Sequence, residues 1–255
     1  MKEYFYKLNN FFLTKHLHNL ASEDNYAEII RDKTIAIVGP ASYLENSKWG
    51  NEIDSYDLVI RINRGIELIE NYSSDIGFRT DILYSCLIED PENAGIIDPL
   101  LFYEKYNLKF ICTTPFADLK SFFNKNDIHP MADKEKFKKL SKLIPTRIIP
   151  NEYWELFSKE LKTRPTTGYI SVFDILRFKP SKIKIFGFSF YTTGILKGYK
   201  KGTKYQEETF HDIALKSKRH NHRKMFNYAK KILLCDERIE LDPFLQNLLK
   251  KTFSK

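Results

Sequence analysis

The fold is decided by the stretch Thr34-Ile-Ala-Ile-Val-Gly39-Pro40-Ala41-Ser42, a short apolar run that ends in a turn of small residues. Its first five residues are apolar or β-branched, which is typical of a strand that is buried on both faces of a parallel sheet. Gly39 and Pro40 end the strand, and small residues there let a ligand approach the backbone. The pattern predicts an α/β protein, in which this turn is either a ligand site at the carboxyl edge of the sheet or an ordinary βα turn.

Further apolar runs continue a βα alternation along the chain. Strands are predicted at residues 58–62, 81–84, 108–113, 147–149, 182–186 and 238–241. Helical patterns cover residues 152–161, 168–178, 220–234 and 242–253. The sequence therefore predicts a single Rossmann-like domain over residues 33–255, with a mostly parallel sheet flanked by helices. An N-terminal helical extension over 1–32 precedes it, and residues 115–150 are predicted to form an insertion that faces an acceptor.

The composition favours anionic partners. The chain has 255 residues, of which 41 are lysine or arginine and 33 are aspartate or glutamate, and its net charge is +8. Nucleotide phosphates, acidic glycans, anionic membranes and nucleic acids all suit this charge. The residues 191–206, rich in glycine and lysine, are predicted to form a mobile loop.

The number of cysteines and the hydropathy of the chain indicate the cellular compartment in which the protein works. The three cysteines, Cys86, Cys112 and Cys235, are widely spaced, which argues against a disulfide framework or a CxxC metal site. No run approaches the roughly 18 apolar residues that cross a bilayer, and the N-terminus lacks the pattern of a secretory signal. We expect a cytoplasmic protein. Aromatic and basic residues near the N-terminus are compatible with peripheral contact at the inner face of the membrane, or with a helix packed on the domain.

Polar side chains follow the second predicted strand at the same edge of the sheet. Asn63 and Arg64 come directly after the apolar run that ends at Ile62. An asparagine both donates and accepts hydrogen bonds, which suits contact with a base or a ribose. A buried capping asparagine is the alternative interpretation.

A second turn of interest is Thr166-Thr167-Gly168, which precedes an apolar helical pattern. A threonine at the cap position leaves N–H groups in the first turn facing outward, and such N–H groups bind anions. A plain N-cap without a ligand is the alternative. The turn is therefore a candidate anion site, and a second segment of the sequence is needed to decide between the two interpretations.

The two segments together resemble the sialyltransferase family. The large sialyl motif resembles Ile37-Val-Gly39-Pro40-Ala41-Ser42, Gly50, Ile53-Asp54, Tyr56-Asp57-Leu58-Val59 and Arg61-Ile62-Asn63. The small sialyl motif resembles Pro165-Thr166-Thr167-Gly168 and Ile185-Phe186-Gly187-Phe188-Ser189-Phe190. The two motifs in this order are more specific evidence for the family than either motif alone. Pro40 stands where animal members commonly have an asparagine, which points to a bacterial or viral branch.

The resemblance implies a nucleotide-sugar transferase domain, a GT-A-like variant of the Rossmann-like fold. It implies inverting, metal-independent transfer of a sialic acid, or a related ulosonic acid, from a CMP-activated donor to a hydroxyl of a glycan or glycolipid. No cofactor or metal is expected. The residues that we expect to bind the donor are Gly39, Pro40, Ala41, Ser42, Asn63, Arg64, Tyr84, Thr166, Thr167, Gly168, Gly187, Phe188, Tyr191 and His211. Tyr84 and Tyr191 are included for their positions near the strand ends, and each is alternatively a tyrosine at the edge of the core. His211 holds either the acceptor or the phosphate.

The reaction needs a base, because the acceptor hydroxyl must lose its proton as it attacks. A histidine, whose ordinary pKa lies near neutrality, suits that task. The family's last motif places its base just before a terminal amphipathic helix, and His220 fits that placement best, with His222 as the second candidate. The acidic residue that usually follows five positions later is missing, since position 225 is Met.

Other functions remain as alternatives. CMP-Kdo presents the same CMP and carboxylate as CMP-sialic acid, so a CMP-Kdo transferase of surface polysaccharide synthesis fits the same motifs. The pattern disfavours nucleic-acid binding, because the basic residues are scattered and the aromatic residues lie in apolar runs. It also disfavours a metal-dependent transferase or hydrolase, because an Asp-x-Asp pair is absent and His220-x-His222 lacks a third ligand at helical spacing.

Overall fold

A computed structural model describes residues 21–86, 98, 100–114, 140–199 and 220–250. Its strands are β1 Thr34–Val38, β2 Leu58–Ile62, β3 Ile82–Ser85, β4 Phe110–Thr113, β5 Thr146–Ile148, β6 Lys182–Phe186 and β7 Ile239–Leu241. They form one sheet in the order β5-β4-β3-β2-β1-β6-β7, and every neighbouring pair is parallel. The predicted α/β fold with a parallel sheet is confirmed.

Helices and short turns connect the strands. The helices are α1 Glu23–Ile30, α2 Gly50–Asp54, α3 Ile69–Ile76, α4 Asn151–Leu161, α5 Thr167–Leu176, α6 His222–Leu233 and α7 Pro243–Lys250. Single turns of 3₁₀ helix lie at Ser42–Leu44 and Asn63–Ile66, and a π-helical turn lies at Leu101–Lys105. Within these described residues, no helix is long and apolar enough to span a bilayer.

The central strand β1 buries both of its faces, in two different cores. Ile35 and Ile37 belong to a large cluster that also contains buried residues of α1, α4, α5, α6 and α7. Ala36 and Val38 belong to a second cluster, with Leu44 and with residues of α2 and α3. Helices therefore cover the two faces of the sheet, and this explains why the strand is apolar at every position except its first.

The winding of the chain changes direction beside β1. The strands β2 to β5 follow on one side of β1, whereas β6 and β7 lie on the other. In a parallel sheet, a crevice opens where the winding reverses, outside the carboxyl ends of the strands. The residues after Val38 and after Phe186 consequently lie at one crevice, which we call the switch-point crevice.

Two predicted segments fall largely outside the described residues. Residues 1–20 of the N-terminal extension and residues 115–139 of the predicted insertion are in this group, so both stay predictions. The remainder of the extension contains α1, whose Tyr26 and Ile30 are buried in the large cluster. This helix is therefore packed against the sheet.

Candidate functional site

The turn after β1 packs directly on the turn after β6. The Gly39 N–H donates to the Phe186 carbonyl at 2.8 Å, and the Ala41 N–H donates to the Gly187 carbonyl at 3.1 Å. A Cβ atom on Gly39 would lie 2.4 Å from the Gly187 oxygen, and Gly187 has a φ of +72°. Both positions thus require glycine, one for close backbone approach and one for its conformation.

The ring of Phe188 lies between the first turn and the start of α5. A Cβ atom on Gly39 would come within 2.8 Å of this ring, and a Cβ atom on Gly168 would come within 3.3 Å of it. Gly39 and Gly168 are therefore separated by little more than one aromatic side chain. The predicted convergence of the two turns is confirmed, and their role in donor binding stays a prediction.

Residues 194–199 hold the turn Pro40–Ser42 from the other side. The Ser42 N–H donates to the Gly194 carbonyl at 2.9 Å, and the Leu196 N–H donates to the Pro40 carbonyl at 2.8 Å. The prediction of a mobile loop over 191–206 is therefore wrong for its first part, because backbone hydrogen bonds pair residues 194–196 with the turn. The rest of that loop lies outside the described residues.

Asn63 stands at the crevice, but the protein itself uses its side-chain oxygen. The residue has a left-handed φ of +45°, which asparagine tolerates better than most residues. Its Oδ1 accepts a hydrogen bond from the Cys86 N–H at 3.0 Å and so joins the ends of β2 and β3. This oxygen has the structural role that the alternative interpretation assigns to it. The Tyr199 hydroxyl, which no sequence pattern marks, donates to the carbonyl of Ile62, the residue before Asn63, at 3.5 Å.

Two predicted donor ligands point into the protein. The Tyr84 side chain is 0% exposed, and its hydroxyl donates to Asp174 Oδ2 at 2.8 Å. Arg64 is 2% exposed, and its guanidinium pairs with Glu67 at 2.6 Å. Both side chains are buried and make internal contacts, so the structure does not bring Tyr84 and Arg64 to the crevice, and their role as donor ligands stays a prediction. Burial raises the pKa of Tyr84 well above its ordinary value.

The first turn of α5 presents backbone donors at the crevice. Thr166 caps the helix, and its Oγ1 accepts from the Tyr169 N–H at 3.2 Å. The N–H groups of Thr167 and Gly168 make no hydrogen bond to any described residue. Because the helix has ten residues, its N-terminus carries the positive end of a helix dipole. The arrangement suits an anion such as a phosphate.

His220 is attached to the small-motif turn. Its Nδ1 lies 2.9 Å from the carbonyl oxygen of Arg164, the residue just before Pro165. A carbonyl oxygen only accepts, so we infer that Nδ1 carries the proton in the neutral ring and that the lone pair is on Nε2. This contact fixes the His220 ring beside the start of α5, and its role as a base stays a prediction.

His222 is the more buried of the two candidate bases. Its side chain is 7% exposed, and its ring packs edge-on against Tyr191 with 4.3 Å between ring centroids. The His220 and His222 rings are 5.9 Å apart. Burial raises the pKa of Tyr191 to about 12, so the Tyr191 hydroxyl stays a donor at neutral pH. His220 is more exposed than His222, which favours His220 as the histidine that contacts the acceptor.

Two further predictions concern His211 and a metal. His211 lies outside the described residues, so its role stays a prediction. Among the residues that the structure describes, no group of three or more histidine, cysteine, aspartate or glutamate side chains is arranged to hold a metal ion.

The chain is similar to proteins of one family. The family model of glycosyltransferase family 29 (sialyltransferase) matches residues 4–233. A match of 150 residues to β-galactoside α-2,6-sialyltransferase 2 of Xenopus tropicalis is 29% identical and covers 54% of this chain and 28% of that protein. A match of 168 residues to β-galactoside α-2,6-sialyltransferase 1 of Mus musculus is 27% identical and covers 58% of this chain and 41% of that protein.

The fold is also similar to a solved structure. The crystal structure of a mammalian sialyltransferase superposes with a TM-score of 0.55 at 17% identity, over 92% of this chain and 78% of that chain. At this identity the likeness concerns the fold. The matches to the two curated relatives span less than half of the length of either protein.

Proposed function

The chain belongs to glycosyltransferase family 29, the sialyltransferases, and on this premise we propose that it transfers a sialic acid from CMP-sialic acid to a hydroxyl of a glycan. One observation carries the proposal. The turn at Gly39 and the start of α5 at Gly168 meet across the Phe188 ring at the switch-point crevice. This is the place where an α/β sheet binds a nucleotide.

The donor phosphate has a suitable partner in the first turn of α5. The N–H groups of Thr167 and Gly168 and the positive end of the helix dipole favour an anion there. The turn Gly39–Ser42 is small enough to admit the rest of the nucleotide against its backbone. These donors also stabilise the charge on the departing CMP, so the proposed reaction needs no metal.

His220 is the proposed general base. The acceptor oxygen forms a bond with the anomeric carbon while the bond from that carbon to the phosphate oxygen breaks, and CMP leaves with the electron pair. The acceptor proton passes to Nε2 of His220. The bond from Nδ1 to the Arg164 carbonyl, 2.9 Å long, orients the ring before the transfer and stabilises the imidazolium that forms. A single displacement of this kind inverts the anomeric configuration.

The acceptor is proposed from the relatives alone. Both curated relatives carry β-galactoside in their names, so lactose is the first acceptor to offer. The positive net charge of +8 favours the anionic donor and says nothing about the acceptor.

A nucleotide panel tests the donor site. A ligand that binds only the native state raises the melting temperature, so CMP should raise it and UDP, GDP and NAD should not. Incubation with CMP-sialic acid and lactose in EDTA should then give sialylated lactose by mass spectrometry. A shift with UDP instead of CMP would contradict the proposal. Transfer from CMP-Kdo with none from CMP-sialic acid would assign the alternative donor, and activity that EDTA abolishes would contradict metal independence.

A further inference from the structure

A buried carboxylate behind the switch-point crevice connects its two turns. Asp242 is 0% exposed and lies between β7 and α7. Its Oδ2 accepts a hydrogen bond from the Tyr43 hydroxyl at 2.6 Å and another from the Gly187 N–H at 3.0 Å. Its Oδ1 accepts from the Leu245 N–H at 2.8 Å. Three donors from three separate segments therefore converge on one side chain.

The three donors come from different parts of the chain. Tyr43 directly follows the first turn, Gly187 lies in the second, and Leu245 belongs to the first turn of α7. Since Tyr43 and Gly187 bind the same oxygen atom, that atom sets the distance between the two turns. The Tyr43 ring also stacks on Phe244, with 4.0 Å between centroids, so the hydroxyl is held in place. Burial raises the pKa of Tyr43, so the hydroxyl keeps its proton and donates.

We propose that Asp242 is a positioning residue for the nucleotide donor: through Tyr43 and Gly187 it sets the spacing of the two turns that grip CMP, without touching the donor itself. This inference rests on the donor site of the proposed function. The backbone contacts of the turns make spacing critical, because Gly39 and Gly187 already pack too closely to admit a Cβ atom. A small shift of one turn moves the groups that face the nucleotide, and displacements of this order weaken binding and catalysis.

Asparagine cannot replace this carboxylate. A carboxylate accepts at both oxygens, whereas an amide accepts at one oxygen and donates at its nitrogen. In D242N at least one of the three converging donors would face an NH₂ group and lose its partner. The variant Tyr43→Phe is milder, because it removes one hydrogen bond and leaves Asp242 bound to Gly187 and Leu245.

The experiment measures CMP affinity by calorimetry, well below the melting temperature of each variant, together with kcat and KM for CMP-sialic acid. We expect the displaced turns in Y43F to raise the Kd for CMP about tenfold, which equals about 1.4 kcal/mol of binding free energy, and D242N should raise it further. KM should rise more than kcat falls, and the pH profile of kcat should keep the wild-type shape because His220 is untouched.

The matched controls are Tyr153→Phe, which removes a hydroxyl bonded to the Phe173 carbonyl, and Asp236→Asn, which removes a partner of Arg238.

The controls should leave CMP affinity unchanged even where they lower stability. If Y43F and D242N lower the melting temperature but bind CMP as wild type does, Asp242 only stabilises the fold and the inference is wrong. Should D242N fail to fold, Y43F alone decides by the same criterion. A wild-type protein that does not bind CMP would overturn the proposed function, and this inference with it.

Discussion

The two ends of α5 use their polar groups in opposite ways. At the first turn, the N–H groups of Thr167 and Gly168 make no hydrogen bond to a described residue and face the switch-point crevice. Two turns later, Asp174 accepts hydrogen bonds from Tyr84, Arg147 and Arg177. One helix thus joins a site with spare hydrogen-bonding capacity to a saturated cluster, and we expect substitutions at the two ends to change different properties.

The saturated cluster is built around a buried ion pair. The two terminal nitrogens of the Arg147 guanidinium donate to Asp174, at 2.6 Å and 3.0 Å, and both side chains are almost fully buried. Arg147 also pairs with Glu23 of α1, and its guanidinium lies 4.5 Å from the centre of the Tyr26 ring. Burying charge is costly, so such a pair is stable only when its hydrogen bonds are complete. The cluster therefore holds β5, α5 and α1 together.

The largest expected effect belongs to the crevice end. His220→Ala should lower turnover by about 10²- to 10⁴-fold, the usual loss when a general base is removed. The affinity for CMP and the melting temperature should stay close to the wild-type values, because the ring is half-buried and lies at the edge of the site. Single-turnover kinetics with CMP-sialic acid and calorimetry with CMP measure the two quantities separately.

His222→Ala is the comparison for that variant. His222 is buried under Tyr191, so its removal should lower the melting temperature and reduce turnover less than His220→Ala does. Wild-type turnover in the His220 variant, together with a large loss in the His222 variant, would assign the base to His222.

The next largest effect belongs to the other end of α5. Asp174→Ala removes one partner of a buried ion pair and should lower the free energy of unfolding by about 3–5 kcal/mol. Urea unfolding measures this loss, and the CMP affinity of the folded fraction should not change. Asp236→Ala is the control at a more exposed pair with Arg238, where the loss should stay within about 1 kcal/mol. Equal losses of unfolding free energy in the two variants would mean that the cluster stabilises the fold no more than a surface ion pair does.

A glycine pair tests the contact between the turns. Gly39→Ala places a methyl group 2.4 Å from the Gly187 oxygen, and overpacking of this kind costs about 1–3 kcal/mol. The turns must move apart, so CMP affinity should fall as well. Gly65→Ala is the matched control, because its Cβ atom would lie 3.5 Å from the nearest atom, the Arg61 Cβ. Normal CMP binding by the Gly39 variant would contradict a nucleotide site at this contact.

Local patterns predicted the strands and the turns of the site. The apolar run before Gly39 marks β1, and Thr166 caps α5 as the sequence indicates. The sequence does not show to which face of the sheet the Tyr84 side chain points. Every position of β3 is buried, so the strand lacks the alternation of polar and apolar residues that would distinguish its two faces. Asp242 was missed for a different reason. Its partner Tyr43 is 199 positions away in the sequence, and no local pattern links the two.

The smallest effect, and the finest test of the comparison, is Tyr84→Phe. The hydroxyl donates to Asp174 and lies 2.8 Å from the Tyr26 hydroxyl, so its loss should lower the free energy of unfolding by about 1–3 kcal/mol. The ion pair with Arg147 remains, which is why the loss is smaller than for Asp174→Ala. Urea unfolding and CMP calorimetry separate the two interpretations of this residue. A cluster residue changes only the stability, whereas a phosphate ligand, as the sequence pattern predicts, would weaken CMP binding. The matched variant beside the crevice is Tyr191→Phe, which should weaken CMP binding more than Tyr84→Phe does.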